Sequence, residues 1–318
     1  MKKRLIKIFT ILGTSLAVIA ILNKFISLIS DGIDKIPVKN THYFKSRFGL
    51  VRYIKIGSGK PLILLHDMAI ESSSYEWNHV IDSLSEQYTV YAIDLPGFGL
   101  SDRIESTYTF YHYYLILNSF IKKTIGEKVT IITSGLSFGL VVQLKYSKPN
   151  LIDQIIGINP HSIEDYLVYP CFKKKIMKFI LDSPVIGTFI YNIIASKPHI
   201  TNKMIQQCNK TEHLNSKEID VAYYNAHITD KNKFLYSNIK TGYLTLDIRR
   251  ALHNISDSTS IILGEADPNF TNLIREYKKY NSDCIFYKIL EAASLPHIDN
   301  PKDTVDTICH ILQTAKTI

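Results

Sequence analysis

The amino-acid sequence predicts an α/β fold: a doubly wound, mostly parallel sheet with an inserted helical cap. Short, continuous apolar runs alternate with helical stretches, as expected for parallel strands that helices cover on both faces. These runs are residues 61–65, 88–93, 128–132, 155–158, 260–263 and 284–289. Between residues 161 and 257 the pattern is helical, with no strand-like run. The strands therefore belong to one sheet, and the helical stretch is an insertion into it.

The N-terminal segment, residues 1–30, is first basic and then apolar. Its basic start contains Lys2, Lys3, Arg4 and Lys7. Residues 8–29 follow with Lys24 as the single charge, and these 22 residues satisfy the ~20 that a helix needs to cross a bilayer. Because the basic cluster comes first, we predict a single-pass membrane anchor with the globular part outside. The alternative is a signal peptide cleaved after Ala20 to give a secreted protein; the apolar run beyond that residue favours the anchor.

Composition and charge limit the partners. The formal net charge is +8, but the N-terminal segment supplies most of it, so we expect no nucleic-acid binding. The eleven histidines are scattered, and we expect neither a metal site nor a cofactor. The four cysteines are widely spaced, and we expect free thiols. They are Cys171, Cys208, Cys284 and Cys309.

The rest of the chain divides into a linker, a core and the cap. Residues 31–42 are the predicted linker, residues 43–160 and 258–318 the core, and residues 161–257 the cap. Alternation over residues 43–56 predicts a hairpin at the start of the core. The predicted helices are residues 73–85, 108–125, 172–181, 185–195 and 302–314.

Four motifs follow predicted strands. They are residues 64–68 (LLHDM), 94–102 (DLPGFGLSD), 135–139 (GLSFG) and 264–267 (GEAD). In open α/β sheets, ligands bind at the carboxyl ends of the strands, where these motifs lie. A glycine-flanked serine between a strand and a helix is the pattern of a nucleophile elbow. Together the motifs resemble the α/β-hydrolase family, of the cap-bearing type that includes epoxide hydrolases, dehalogenases, esterases and iminopeptidases, over residues 43–315.

The resemblance implies a role for particular residues. Ser137 matches the nucleophile, and Asp267 matches the acid that orients the catalytic base. The backbone N–H groups of Met68 and Phe138 match the donors of the oxyanion hole. Asp67 stands where the family has a glycine, and a carboxylate aimed at an oxyanion would weaken its stabilisation.

The base is where the sequence departs from the family pattern. Ser294 stands at the position of the family's histidine, and a serine cannot accept a proton near neutral pH. His297 lies three residues later and is the candidate base, provided that its loop brings it within about 3 Å of the nucleophile. The alternative is that His297 is a bystander at the start of the last helix.

Three functions remain open from the sequence. The first is a serine hydrolase that acts on a small ester or amide through Ser137, with His297 or a histidine of the cap as its base and Asp267 in support. The second is a catalytically impaired relative that binds a small molecule or a partner. The third is a divergent enzyme that uses the pocket without an acyl-enzyme, as some lyases do.

Overall fold

The computed structural model describes residues 17–26, 40–103, 107–210, 212, 214–255 and 259–314, together with positions 3, 7, 10 and 14. The strands are β1 (Thr41–Ser46), β2 (Gly49–Ile56), β3 (Lys60–Leu65), β4 (Tyr88–Ile93), β5 (Val129–Ser134), β6 (Ile152–Ile158), β7 (Thr259–Gly264) and β8 (Ile285–Ile289). The helices outside the insertion are α1 (Ala17–Ile26), α2 (Ile81–Ser85), α3 (Phe110–Phe120) and α4 (Ser137–Ser147). Within the insertion they are α5 (Phe172–Asp182), α6 (Ile186–Ile194), α7 (Lys197–Gln207), α8 (Ser216–His227), α9 (Asn232–Lys240) and α10 (Arg249–Asn254). The chain ends with α11 (Phe270–Tyr280), α12 (Pro296–Asp299) and α13 (Pro301–Thr314).

All eight strands form one sheet, in the order β1-β2-β4-β3-β5-β6-β7-β8. β1 and β2 pair antiparallel, β2 meets β4 antiparallel, and every pairing from β4 to β8 is parallel. This confirms the predicted class, a mostly parallel sheet, and the hairpin predicted at the start of the core.

The sheet is covered on both faces. In β3, Ile63 and Leu65 join one buried apolar cluster, whereas Leu62 and Leu64 join a second. All four side chains are fully buried. Successive side chains of a strand point to opposite faces, so a continuous apolar run is the pattern of a strand covered on both sides.

The helical insertion between β6 and β7, here called the cap, contacts the core near the carboxyl end of β3. Asn225 of α8 donates from its amide nitrogen to the Glu71 carbonyl oxygen at 3.1 Å and to Ser73 Oγ at 2.8 Å. The hydroxyl group of Tyr166 donates to the Gly135 carbonyl oxygen at 3.1 Å. The cap is thereby fixed over the edge of the sheet where the sequence motifs converge.

The predicted linker and the N-terminal segment fall largely outside the described residues. Among the residues that are described, no single helix is long and apolar enough to span a membrane; α1 is a short apolar helix. The bent pair of α5 and α6 meets the same test only when its two helices are taken together. All four cysteines are free.

The loop after β4 is held by a buried carboxylate. Asp94 accepts hydrogen bonds from the backbone N–H groups of Ser74 at 2.6 Å and Leu100 at 2.9 Å, and it pairs with Arg52 at 3.2 Å. Gly99 has a φ of +47°, and a Cβ atom there would lie 2.3 Å from Asp94 Cγ. The motif over residues 94–102 is therefore architectural.

We predict that Asp94→Ala lowers the free energy of unfolding by about 3–5 kcal/mol, because it leaves the Arg52 guanidinium buried without its partner. Asp153→Ala is the matched control, since this exposed carboxylate pairs with exposed Lys128 at 3.1 Å and should cost at most about 1 kcal/mol. Urea unfolding of both variants measures the difference. Equal losses would contradict the architectural role.

Candidate active site

The carboxyl ends of β3, β5, β6 and β7 meet beneath the cap and enclose a cavity of about 410 Å³. Its polar lining includes Asp67, Ser134, Asn159, His161, Asp165, Asp267, Glu276 and Ser294. Four of the described lining residues are carboxylic acids, and none is a lysine or an arginine. Across the described part of the chain, no group of three or more histidine, cysteine, aspartate or glutamate side chains could hold a metal ion.

A second, smaller cavity of about 90 Å³ shares Asp67 and Leu295 with the first. It extends under the cap, where Met204, Val221 and Ala222 form an apolar wall. A polar chamber and an apolar extension therefore meet at Asp67.

The sharp turn between β5 and α4 is made by Gly135. This residue has a φ of +52°, in the left-handed region that a side chain rarely adopts, and α4 begins two residues later. A Cβ atom at position 135 would lie 2.2 Å from Asp67 Oδ1 and 2.3 Å from Asp67 Cγ. The space in front of the turn is thus occupied by the Asp67 carboxylate, and only glycine leaves room for it.

Ser137, the predicted nucleophile, is the first residue of α4 and is fully buried. Its hydroxyl group donates to the carbonyl oxygen of His66 at 2.5 Å. Ser137 is not among the described residues that line the cavity. Its hydroxyl group therefore fixes the start of α4 against the loop after β3.

Two backbone N–H groups converge on one oxygen atom of Asp67. Asp67 Oδ1 accepts the backbone N–H groups of Met68 and Leu136, each at 2.7 Å. Met68 is one of the two predicted donors. The second predicted donor, Phe138, gives its N–H to the Gly135 carbonyl oxygen at 3.4 Å instead. The second backbone N–H at Asp67 is therefore that of Leu136, because the turn comes two residues earlier than the motif suggests.

Asp267 lies after β7 at the cavity, and its partner there is a serine. Ser294 Oγ donates to Asp267 Oδ2 at 2.5 Å, and the Asn159 side-chain amide donates to the same oxygen at 2.8 Å. The backbone N–H of Asn269 donates to Asp267 Oδ1 at 2.7 Å. Both carboxylate oxygens of Asp267 therefore accept hydrogen bonds, and the donors named here are a serine, an asparagine side chain and a backbone N–H.

His297, the predicted base, is fully buried away from the cavity. Its ring stacks at 4.9 Å from that of Trp77, and its Nε2 lies 3.2 Å from Glu76 Oε1, at ion-pair distance but outside hydrogen-bond geometry. Burial raises the pKa of the Glu76 carboxyl group, but His297 and the hydroxyl group of Ser134 together outweigh burial, so the net pKa is lowered. Ser137, Asp267 and His297 thus have separate partners, and the structure does not pair them with one another.

His161 is a histidine of the predicted cap that lines the cavity, and the sequence analysis did not single it out. Its Nε2 lies 4.0 Å from Asp67 Oδ1, its Nδ1 lies 3.7 Å from Asp165 Oδ2, and its side chain is 41% exposed. The available signal was its position just after β6, at the edge of the sheet where the other motifs meet.

Comparisons with known proteins agree on the fold. Residues 60–216 match the sequence model of the α/β hydrolase fold. The chain is 36% identical over 91 residues to a soluble epoxide hydrolase of Corynebacterium sp., covering 29% of this chain and 27% of that protein. The chain spans about a third of the length of the curated relatives it matches.

Two solved structures have the same overall fold at low sequence identity. A serine hydrolase involved in carbazole degradation superposes with a TM-score of 0.69 at 18% identity, over 86% of this chain and 98% of that one. A bacterial membrane phospholipase A superposes with a TM-score of 0.69 at 14% identity, over the full length of both chains.

We predict that Gly135→Ala destabilises the protein by about 1–3 kcal/mol more than Gly126→Ala does. Gly126 is a matched control because its φ is +81° and a Cβ atom there would meet nothing within 4 Å, so it reports backbone strain alone. The excess should largely disappear when Gly135→Ala is made in an Asp67→Gly background, as measured by chemical unfolding of the four variants. An unchanged excess would contradict the contact between residues 67 and 135.

Proposed function

Since this chain is an α/β-hydrolase-fold protein, we propose that it binds a small molecule in the cavity at Asp67 and forms no acyl-enzyme at Ser137. One observation carries the proposal: the Asp67 carboxylate accepts both N–H groups that an oxyanion hole would offer to a substrate. This is the second of the three functions that the sequence leaves open.

Acyl transfer requires two free donors at the point where negative charge develops. Here the two N–H groups already bind a carboxylate. An oxyanion approaching to about 4 Å from that carboxylate would be repelled by about 4 kcal/mol at an effective dielectric constant of 20. The hole would therefore oppose a tetrahedral intermediate instead of stabilising it.

The nucleophile and the base are also unsuited to acyl transfer. The Ser137 hydroxyl group is committed to the His66 carbonyl oxygen, which cannot remove its proton. The residue beside Asp267 is Ser294, which donates a hydrogen bond to it and supplies no base.

Binding of a ligand requires no free oxyanion hole, nucleophile or base. Ligand pockets combine apolar walls with a few fixed polar groups, and the two cavities that meet at Asp67 have this composition. Asp67 and Asp267 are held by backbone and side-chain donors, so their oxygen atoms keep defined positions without a ligand. We infer a small ligand with a polar end toward Asp67 and an apolar end under the cap.

Membrane attachment through the N-terminal segment remains part of the proposal, with the globular part outside. The supporting observations are the apolar pattern of residues 8–29, the exposed apolar side chains of α1, and the fold shared with a protein described as a membrane phospholipase A.

A second candidate function is hydrolysis with Asp67 as the nucleophile, which the proximity of His161 favours. Asp67 Oδ2 would attack an electrophilic carbon, such as that of an epoxide, and the C–O bond to the leaving oxygen would break. The leaving oxygen stays on the resulting ester as an alkoxide. His161 would then take a proton from water as the water attacks the ester carbonyl and pass this proton to the alkoxide, which releases the diol and regenerates the carboxylate. The sequence relative described as a soluble epoxide hydrolase suggests this substrate class.

Reactive probes distinguish these functions. We predict that neither a fluorophosphonate nor styrene oxide adds mass to the full chain, because Ser137 has no base and Asp67 acts as a hydrogen-bond acceptor. Intact-protein mass spectrometry measures both reactions, with Ser137→Ala, Asp67→Asn and His161→Gln as comparisons. Fluorophosphonate labelling that Ser137→Ala abolishes would support the serine hydrolase. An epoxide adduct that is absent in Asp67→Asn and accumulates in His161→Gln would support the second candidate.

Binding itself is tested by a thermal-shift screen of small amphipathic molecules against the full chain. Compounds that raise Tm should lose their effect in Leu295→Trp, because this residue lines both cavities and the indole ring would occupy part of the space that the ligand needs where they meet. Ser137→Ala is the matched control and should keep the effect, since Ser137 is fully buried. Stabilisation that persists in Leu295→Trp would place the ligand elsewhere.

A further inference from the structure

The outer side of the cap carries an apolar surface that faces solvent. On α5, Phe172 is 78% exposed, Phe179 is 79% exposed, and Ile176 and Ile180 are nearly half exposed. The spacing of these four residues places them on one face of the helix. In a helix that only packs against a core, this stripe would be buried, yet the buried residue of α5 is Leu181.

Basic side chains border this stripe. Lys173 and Lys175 lie in the first turn of α5, one on each side of the stripe, whereas Lys174 points away and donates to the Lys240 carbonyl oxygen at 3.1 Å. The one acidic residue of the helix, Asp182, is paired with Lys178 at 2.8 Å. An apolar face flanked by unneutralised lysines is typical of a helix that lies in the interface of an anionic membrane.

The same surface continues onto α6 and α1. Ile186 and Ile193 of α6 are about half exposed, and α5 and α6 meet at a bend of 92°. Asn23 of α1 donates to the Val185 carbonyl oxygen at 3.2 Å and accepts from the Asn192 amide at 3.0 Å. α1 is thus fastened to the cap at α6, beside the α5 stripe.

The contact with α1 indicates what covers this apolar surface. Val18, Ile21 and Phe25 of α1 are more than half exposed, and the chain upstream of them begins with a basic cluster. A lipid bilayer can cover the apolar surfaces of α1, α5 and α6 together while its anionic headgroups meet the lysines. Neither α5 nor α6 alone is long enough to cross a membrane, so they would lie in its plane.

We propose that the outer cap face, defined as Phe172, Ile176, Phe179, Ile180, Ile186 and Ile193, inserts into the interface of an anionic bilayer. This face is distinct from the N-terminal anchor, which it supplements. It orients the cap toward the membrane and leaves the opposite edge of the sheet in water.

The test uses the full chain in vesicles of phosphatidylcholine and phosphatidylglycerol that contain brominated lipid. Phe179→Trp places a reporter on the outer cap face, and Ile285→Trp places one at the start of β8, at the opposite edge of the sheet, where Ile285 is 52% exposed. The single native tryptophan, Trp77, is fully buried, and the unmodified chain supplies its background signal.

We expect brominated lipid to quench the Phe179→Trp reporter several-fold more than the Ile285→Trp reporter. Replacing Lys173 and Lys175 with glutamate should reduce this quenching in anionic vesicles. Equal quenching at the two sites, or none at Phe179→Trp in chains that sediment with vesicles, would overturn the proposal. So would a blue shift of the Phe179→Trp emission without vesicles that grows with protein concentration, because a second copy of the chain would then cover this face.

Discussion

The carboxylate of Asp67 determines the arrangement of the whole sheet edge. It accepts two backbone N–H groups, one from the loop after β3 and one from the residue that precedes α4. A helix N-terminus favours negative charge, which offsets part of the cost of placing a carboxylate there. Because the side chain fills the space in front of the turn, position 135 must be glycine.

The carboxylate of Glu76 extends this arrangement toward the core. Glu76 accepts the backbone N–H of Asp67 at 3.0 Å, and it also accepts the hydroxyl group of Ser134 and faces His297. The imidazole at position 297 is thereby held between Glu76 and Trp77, behind the cavity. This explains why a histidine close in sequence to the family's usual position does not serve the site.

The sequence was sufficient to predict the fold but only part of the site. Apolar runs such as residues 61–65 mark buried strands directly, and the insertion is visible as a stretch without such runs. The glycine-flanked serine did not predict the position of the turn, because a sequence motif does not specify where the preceding strand ends. β5 continues to Ser134, so the turn falls at Gly135 and the serine enters the helix. The proximity of His161 to Asp67 could not be predicted, since a contact between residues so far apart in sequence depends on the loops after β3 and β6.

The residues that differ from the family pattern bind one another or make room for one another. This argues against a triad that has simply lost its residues. Ser294 donates to Asp267, Asp67 accepts the N–H groups of Met68 and Leu136, and Gly135 leaves room for Asp67. No single substitution would restore the usual site. A serine at position 135 would clash with Asp67, whereas removing the Asp67 side chain alone would leave two N–H groups without their acceptor. A histidine at position 294 would regain a partner in Asp267, but the Ser137 hydroxyl group would stay bonded to the His66 carbonyl oxygen. The site is therefore a distinct and internally consistent arrangement, and its retained cavity is better explained by a ligand than by a lost reaction.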